Sequence, residues 1–203
     1  MEWLRENDLY DPTLIVVTSD HGEEFLDHQR WGHGGTLYQE QLAVPLIIKL
    51  PGQANAGVVI DDLAQHVDLM PTILEPAGVA PPVTAQGRNL FAPVPASPDG
   101  TPRIQAVSFL KLNGRHAESL RDGWHKVIRY LTPRDTTARA DVFDLESDPG
   151  EKHSESPSRA VLRGYLEAEL DRAILSQPRL LAASEGVLDP ELEERLRTLG
   201  YLR

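Results

Sequence analysis

Residues 13–52, TLIVVTSDHGEEFLDHQRWGHGGTLYQEQLAVPLIIKLPG, decide the fold of this chain. The segment opens with an unbroken apolar run at residues 14–17 that is rich in β-branched side chains. Such a run is typical of a strand that a parallel sheet buries on both faces. A second apolar run, at residues 44–50, predicts another strand. We therefore expect residues 13–18 and 44–50 in one main parallel sheet, with residues 104–112 as a candidate third strand.

Side chains that can bind metals follow the first predicted strand directly. Asp20 and His21 end the strand, and Gly22 permits a turn, through positive φ, that would let both side chains face one ligand. In open α/β sheets, ligands bind just beyond the carboxyl ends of strands. His28 and the glycine-flanked His33 follow within a dozen residues. Carboxylate and imidazole suit Ca²⁺, Mg²⁺, Mn²⁺ or Zn²⁺, so the pattern indicates a metal site. The simpler alternatives are a helix-capping aspartate and solvated loop histidines.

The overall composition argues against several classes of function. The 203 residues include 31 acidic and 20 basic side chains, and a net charge of −11 is unlike that of a nucleic-acid-binding protein. The same acidity requires a metal or local cations before an anionic substrate could bind. The absence of cysteine excludes disulfides and thiolate sites. No apolar run reaches the length of a signal-peptide core or a transmembrane helix, so we expect no membrane span.

A loop in the middle of the sequence predicts two parts. Residues 79–103 are rich in Pro, Gly, Ser and Ala, which is typical of a connection between folded units. We place the site in residues 1–95 and a smaller part in residues 96–203. Thr36 is expected to cap a short helix before the second strand. His66, which has apolar neighbours, is expected to be a packing histidine.

The second part is predicted to be a small antiparallel sheet followed by helices. Residues 104–145 have the pattern of a meander, and Asp122-Gly123 is a strong signal for a two-residue hairpin turn. Asp189-Pro190 predicts the start of a last helix. An earlier helix is predicted by apolar residues at four-residue spacing, namely Leu162, Leu166, Leu170 and Ile174.

Four segments of this sequence resemble the sulfatases, a family of the alkaline-phosphatase-like superfamily. They are residues 18–52 (TSDHGEEFLDHQRWGHGGTLYQEQLAVPLIIKLPG), 66–79 (HVDLMPTILEPAGV), 121–130 (RDGWHKVIRY) and 142–151 (VFDLESDPGE). The resemblance implies an α/β fold, in which a parallel or mixed main sheet has flanking helices. It also implies a small C-terminal antiparallel sheet with terminal helices.

The resemblance also implies roles for individual residues. Asp20 and His21 match the family's metal ligands, with Ca²⁺ as the first choice and Mg²⁺, Mn²⁺ or Zn²⁺ as alternatives. His33 matches a basic residue that contacts the sulfate or phosphate, or binds a second metal, and His28 is a second candidate. The implied reaction is metal-dependent hydrolysis of a sulfuric ester. A phosphoester hydrolase or phosphoethanolamine transferase of the same superfamily is an alternative, and so is a non-catalytic truncated product.

The resemblance lacks one essential feature, which is the nucleophile. Sulfatases use a formylglycine made from Cys or Ser in a C/S-x-P-S/A-R sequence, and this chain contains no such sequence. Ser97-Pro98 lacks the rest of the pattern. We therefore expect a C-terminal half that is inactive alone and is completed by an N-terminal half. Because that half would supply much of the main sheet, we also expect an uncovered sheet edge and an exposed apolar face.

Overall fold

A computed structural model describes residues 1–94, 105–112, 114–131, 139–155 and 158–176, and the single residues 194 and 198. Residues 97 and 98, and the start of the helix predicted from Asp189, lie outside these ranges. The strands of the described chain, in sequence order, are β1 (Ile15–Thr18), β2 (Glu24–Phe25), β3 (Trp31–Gly32), β4 (Leu46–Lys49), β5 (Gln105–Leu112), β6 (Arg115–Asp122), β7 (His125–Leu131) and β8 (Arg139–Asp144). The α-helices are α1 (Glu2–Glu6), α2 (Gln39–Leu42), α3 (Leu69–Leu74) and α4 (Ala160–Ser176), and short 3₁₀ turns cover Pro51–Gln53 and His66–Asp68.

The two strands predicted for the main sheet pair with each other, but the predicted direction is wrong. β1 and β4 are antiparallel, with Ile15 opposite Lys49 and Thr18 opposite Leu46. Parallel neighbours need a crossover that returns the chain to the start of the first strand, usually through a long helix. Here the connection contains only the β2–β3 hairpin and the four-residue helix α2, so the chain reverses and pairs directly.

The predicted meander is confirmed as a four-stranded antiparallel sheet in the order β5-β6-β7-β8. Its central hairpin turns one residue later than predicted, because Asp122 still pairs with His125. The turn residues are therefore Gly123 and Trp124. Gly123 has φ of +60°, as the first residue of a tight hairpin turn requires. The helix predicted from the leucine spacing is confirmed as α4.

The four-stranded sheet is buried on both faces. One face packs against α4 through a cluster that includes Val127, Val142 and Leu166. The other face packs against the segment before α2, where Leu37 contacts a cluster that includes Ile128. The second part of the chain therefore packs directly onto the segment that contains the predicted site. The predicted boundary at residues 95 and 96 stays a prediction.

A buried ion pair reinforces this contact. The side chains of Lys126 and Glu151 are 1% and 0% exposed, and Nζ lies 2.7 Å from Glu151 Oε1. Lys126 Nζ also donates to Leu37 O at 2.6 Å, and the backbone N–H of Gln39 donates to Glu151 Oε2. These bonds join the four-stranded sheet to the start of α2, and they satisfy charges that would be costly to bury unpaired.

The β1–β4 pair leaves apolar surface uncovered, as the strand count predicted. Val17 and Ile47 lie opposite each other and are 47% and 64% exposed. Within the described residues, neither strand has a second neighbour. None of the described helices is long and apolar enough to cross a lipid bilayer.

Candidate functional site

The turn after β1 places Asp20 and His21 beside α2. The N–H of Gly22 donates to Gln41 O at 2.8 Å, and a Cβ on Gly22 would lie 2.0 Å from Glu40 O. Glycine is therefore required here for close approach, and not for the positive φ that we expected. The two side chains lie together, with Asp20 Oδ2 3.7 Å from His21 Nε2. The site follows the end of β1 as predicted, although β1 is half of an antiparallel pair.

The hydrogen bonds around this pair fix the orientation of both side chains. His21 Nδ1 lies 2.8 Å from Gly22 O. Because a carbonyl oxygen can only accept, Nδ1 carries the proton and Nε2 keeps its lone pair. Asp20 Oδ1 accepts from the His21 N–H at 3.1 Å. Asp20 Oδ2 and His21 Nε2 are separated by a distance that suits two neighbouring ligands of one ion, each about 2.0–2.6 Å from it.

His33 lies against His21, as the proposed site requires. The two imidazole rings are stacked, with centroids 4.1 Å apart and planes 30° apart. Gly32 and Gly34 on either side have φ of +95° and +73°, a conformation that residues with a Cβ rarely adopt. Glu23 Oε2 lies 3.1 Å from His33 Nδ1 and accepts a hydrogen bond from it. The other ring nitrogen of His33, Nε2, is therefore the atom available to a ligand.

The structure does not bring His28 into this cluster. Its Nδ1 bonds the Glu40 carboxylate, its Nε2 lies 3.0 Å from Glu151 O, and its ring stacks on Tyr38 with centroids 3.6 Å apart. The side chain is 13% exposed. Both ring nitrogens are thus occupied by contacts that hold the fold together, which argues against the role in catalysis that the sequence suggested.

His66 lies closer to the site than the sequence suggested. It is exposed, and its Nε2 lies 2.8 Å from the carbonyl oxygen of Ser19, the residue before Asp20. The expectation of a buried packing histidine is therefore wrong. A short 3₁₀ turn presents His66, and its end is fixed by reciprocal bonds between Gln65 and Asp68. No local pattern could have indicated this contact, because the two partners are far apart in sequence.

Gln41 joins the two loops that carry the site, a role that sequence reasoning missed. Its carbonyl accepts from Gly22, and its side-chain Oε1 accepts from the N–H of Gly34 at 2.9 Å. Its Nε2 donates to the fully buried carboxylate of Glu24, which also accepts from the Thr36 hydroxyl. Thr36 therefore does not cap α2, which begins at Gln39 without a side-chain cap.

The site offers part of a metal coordination sphere. Within the described residues, no group of three or more His, Asp or Glu side chains is arranged to hold a metal ion. Asp20 and His21 would supply two adjacent ligands of a metal ion. Calcium takes six to eight oxygen ligands and zinc about four ligands in all, so the remaining ligands would have to come from elsewhere.

Comparison with known proteins gives a consistent family assignment. Residues 1–79 match the family model described as Sulfatase. The multifunctional alkaline phosphatase superfamily protein PehA of Trinickia caryophylli is 41% identical over 90 residues, which are 44% of this chain and 17% of that protein. Arylsulfatase K of Mus musculus is 27% identical over 191 residues, which are 89% of this chain and 33% of that protein. The chain thus spans about a third of the length of arylsulfatase K.

A solved structure supports the fold. BT4656, solved in complex with its substrate D-glucosamine-2-N,6-O-disulfate, has a TM-score of 0.71 to this chain at 24% identity. The likeness covers 85% of this chain and 36% of BT4656. The predicted α/β fold of alkaline-phosphatase-like type is confirmed.

Sulfatases in general depend on a divalent metal and act on sulfate esters. The matched residues 1–79 include Asp20, His21 and His33, and the chain is similar to the sulfatases of the alkaline-phosphatase-like superfamily.

Proposed function

We propose that this chain provides part of the active site of a metal-dependent sulfuric ester hydrolase. The observation that carries the proposal is the cluster of Asp20 Oδ2, His21 Nε2 and the stacked His33 ring beyond the end of β1. Asp20 and His21 would hold the ion, and Ca²⁺ is our first choice. When bound, such an ion polarises the ester and offsets charge that develops during displacement.

His33 would act on the ester itself. Its side chain is 45% exposed, so a ligand can reach it. Glu23 would fix its tautomer by accepting a hydrogen bond from Nδ1, as a carboxylate does for a catalytic imidazole. A protonated His33 Nε2 can donate to a sulfate oxygen, or it can give its proton to the leaving alcohol oxygen. Glu23 would then be a positioning residue.

The nucleophile would come from a complementing N-terminal half. The chain contains no C/S-x-P-S/A-R sequence, and it spans about a third of the length of arylsulfatase K. Such a half would cover the exposed apolar face that includes Val17 and Ile47. It would extend the main sheet at the edges of β1 and β4 that have no neighbour within the described residues. We expect the 203-residue chain alone to show no turnover of aryl sulfates or aryl phosphates with any divalent metal.

Calorimetric titration of the isolated chain with Ca²⁺, Mn²⁺ and Zn²⁺ tests the metal site. We expect weak binding of one ion, which Asp20→Ala abolishes. Asp61→Ala, which removes an exposed loop carboxylate, should leave the affinity unchanged. Equal affinities of Asp20→Ala and the parent chain would remove Asp20 from the site.

Phosphoester chemistry is a second candidate function. The stacked His21 and His33 bring two imidazoles together, and nitrogen ligands favour zinc over calcium. One of the relatives, PehA, is named a multifunctional member of the alkaline phosphatase superfamily. A hydrolase or phosphoethanolamine transferase of this type would bind Zn²⁺ far more tightly than Ca²⁺, and His33→Ala would weaken Zn²⁺ binding. A sulfatase site would keep its metal affinity in that variant. A non-catalytic product would bind none of these ions specifically.

A further inference from the structure

A separate cleft of about 630 Å³ lies where the two parts of the chain meet. It is bordered by the loop around Asp27 and Arg30, by the end of the β5–β6 hairpin at Arg115, and by the facing ends of β7 and β8. Asp20, His21, His33 and His66 are not among the described residues that line it. The cleft is therefore distinct from the candidate metal site.

The cleft is lined by positive charge in a strongly acidic protein. Arg30, Arg115, Arg139 and Lys152 line it, whereas Asp27 is the single carboxylate among its described lining residues. The chain as a whole has a net charge of −11. Two of these cations also lie near carboxylates outside the lining set, because Arg30 Nε is 3.9 Å from Glu24 Oε2 and Arg139 Nη2 is 2.9 Å from Asp141 Oδ2. The described lining is nevertheless more basic than the chain as a whole.

Local contacts orient the cations of the cleft. The Arg30 guanidinium lies over Gly35, where a Cβ would be only 2.8 Å from Nη2, so glycine makes room for it. The Arg139 guanidinium lies 5.2 Å from the centre of the Tyr130 ring and donates to Asp141 Oδ2 at 2.9 Å. A guanidinium has five N–H donors, and Arg139 keeps others for a ligand. Its side chain is 75% exposed.

The walls of the cleft also contain phenol hydroxyls. The hydroxyls of Tyr38 and Tyr130, two of its lining residues, lie 3.4 Å apart. Cavities of roughly 300–1,000 Å³ typically take small molecules. A cleft of this size, with arginine forks and phenol hydroxyls, suits a small ligand that carries a planar or tetrahedral oxyanion.

We propose that this cleft binds an oxyanion group, namely the sulfate, phosphate or carboxylate of a small molecule. Arg115 is the first residue of β6 and Arg139 the first residue of β8, whereas Arg30 and Lys152 lie in loops. The proposal is independent of the nucleophile and of the metal, because it rests on the cations of the cleft alone.

Anion titrations of the full 203-residue chain test the proposal. Inorganic sulfate, inorganic phosphate and acetate are added at constant ionic strength in the presence of EDTA, and amide shifts are followed by NMR. We expect saturable binding of at least one anion, weakened at least tenfold in Arg115→Gln/Arg139→Gln. The matched control is Arg172→Gln on α4, whose side chain is 70% exposed, and it should bind as the parent chain does. The three anions distinguish tetrahedral from carboxylate ligands.

Two further variants separate the cleft from the candidate active site. Lys152→Gln changes an exposed side chain, so this variant should fold as the parent chain does. It should weaken anion binding, and it tests the cleft independently of the double variant. His33→Ala should leave unchanged the anion-induced shift of the Gly114 amide, which belongs to a lining residue of the cleft. The proposal would be overturned if His33→Ala abolished anion binding while Arg115→Gln/Arg139→Gln preserved it. The anion would then bind at the candidate active site instead. Absence of saturable binding would also overturn it, and would leave the metal titration unaffected.

Discussion

The buried Lys126–Glu151 pair gives a sharp prediction about stability. Lys126→Met keeps most of the side-chain volume but removes the cation 2.7 Å from a carboxylate that is fully buried. Breaking a buried pair from one side typically costs about 3–5 kcal/mol, because the remaining charge is left uncompensated. The backbone N–H of Gln39 still donates to Glu151, so we expect a loss of about 3 kcal/mol.

Urea unfolding followed by circular dichroism measures this loss. A double-mutant cycle with Glu151→Gln should show coupling of at least about 1 kcal/mol, since the second change removes the orphaned charge. Lys111→Met is the matched control, because Lys111 is exposed on β5 and should change stability by less than about 0.5 kcal/mol. A loss below about 1 kcal/mol in Lys126→Met, or strict additivity in the cycle, would refute the view that this pair fastens the sheet to the site segment.

Three further predictions concern the site and its support. Gly22→Ala should cost about 2 kcal/mol or more in urea unfolding, because the new methyl group would lie 2.0 Å from Glu40 O; a variant as stable as the parent would contradict the close approach. Gln41→Leu should lower the free energy of unfolding by about 2 kcal/mol, because the Gly34 N–H loses its acceptor. Amide exchange at Gly34 should accelerate, and unchanged exchange would show that Gln41 does not hold this loop. Burial raises the pKa of the Tyr130 phenol above its ordinary value of 10.0, so the folded chain keeps a proton that the unfolded chain loses. The stability difference between the parent and Tyr130→Phe should therefore be constant below pH 10 and fall above it; a difference that stays flat to pH 11 would contradict the shift.

Local sequence patterns predicted the elements that depend on near neighbours. Alternating and spaced apolar residues indicated the four-stranded sheet and α4, and Gly123 indicated the hairpin between β6 and β7 to within one residue. The position of Asp20 and His21 beyond a strand was also predictable, because the change from apolar to polar and charged residues locates the end of the strand.

Long-range contacts account for what the sequence could not predict. The direction of β4 depends on how the intervening residues fold, so the parallel expectation was wrong. His28 has the spacing of a site residue, but its ring nitrogens are occupied by Glu40 and by the backbone of Glu151, which is distant in sequence. Gln41 and His66 showed no signal, because the groups that they contact lie in other segments of the chain.

The most direct test of the proposed metal site is the activity of a completed enzyme. The nucleophile-bearing N-terminal portion of an active sulfatase would be fused to this chain, and kcat/KM for 4-nitrophenyl sulfate would be measured with Ca²⁺. We predict that Asp20→Ala and His21→Ala each lower kcat/KM at least about 100-fold, or about 2.7 kcal/mol. His153→Ala, whose side chain is 87% exposed, should have no effect. An active fusion in which Asp20→Ala and His21→Ala keep full kcat/KM would contradict the account.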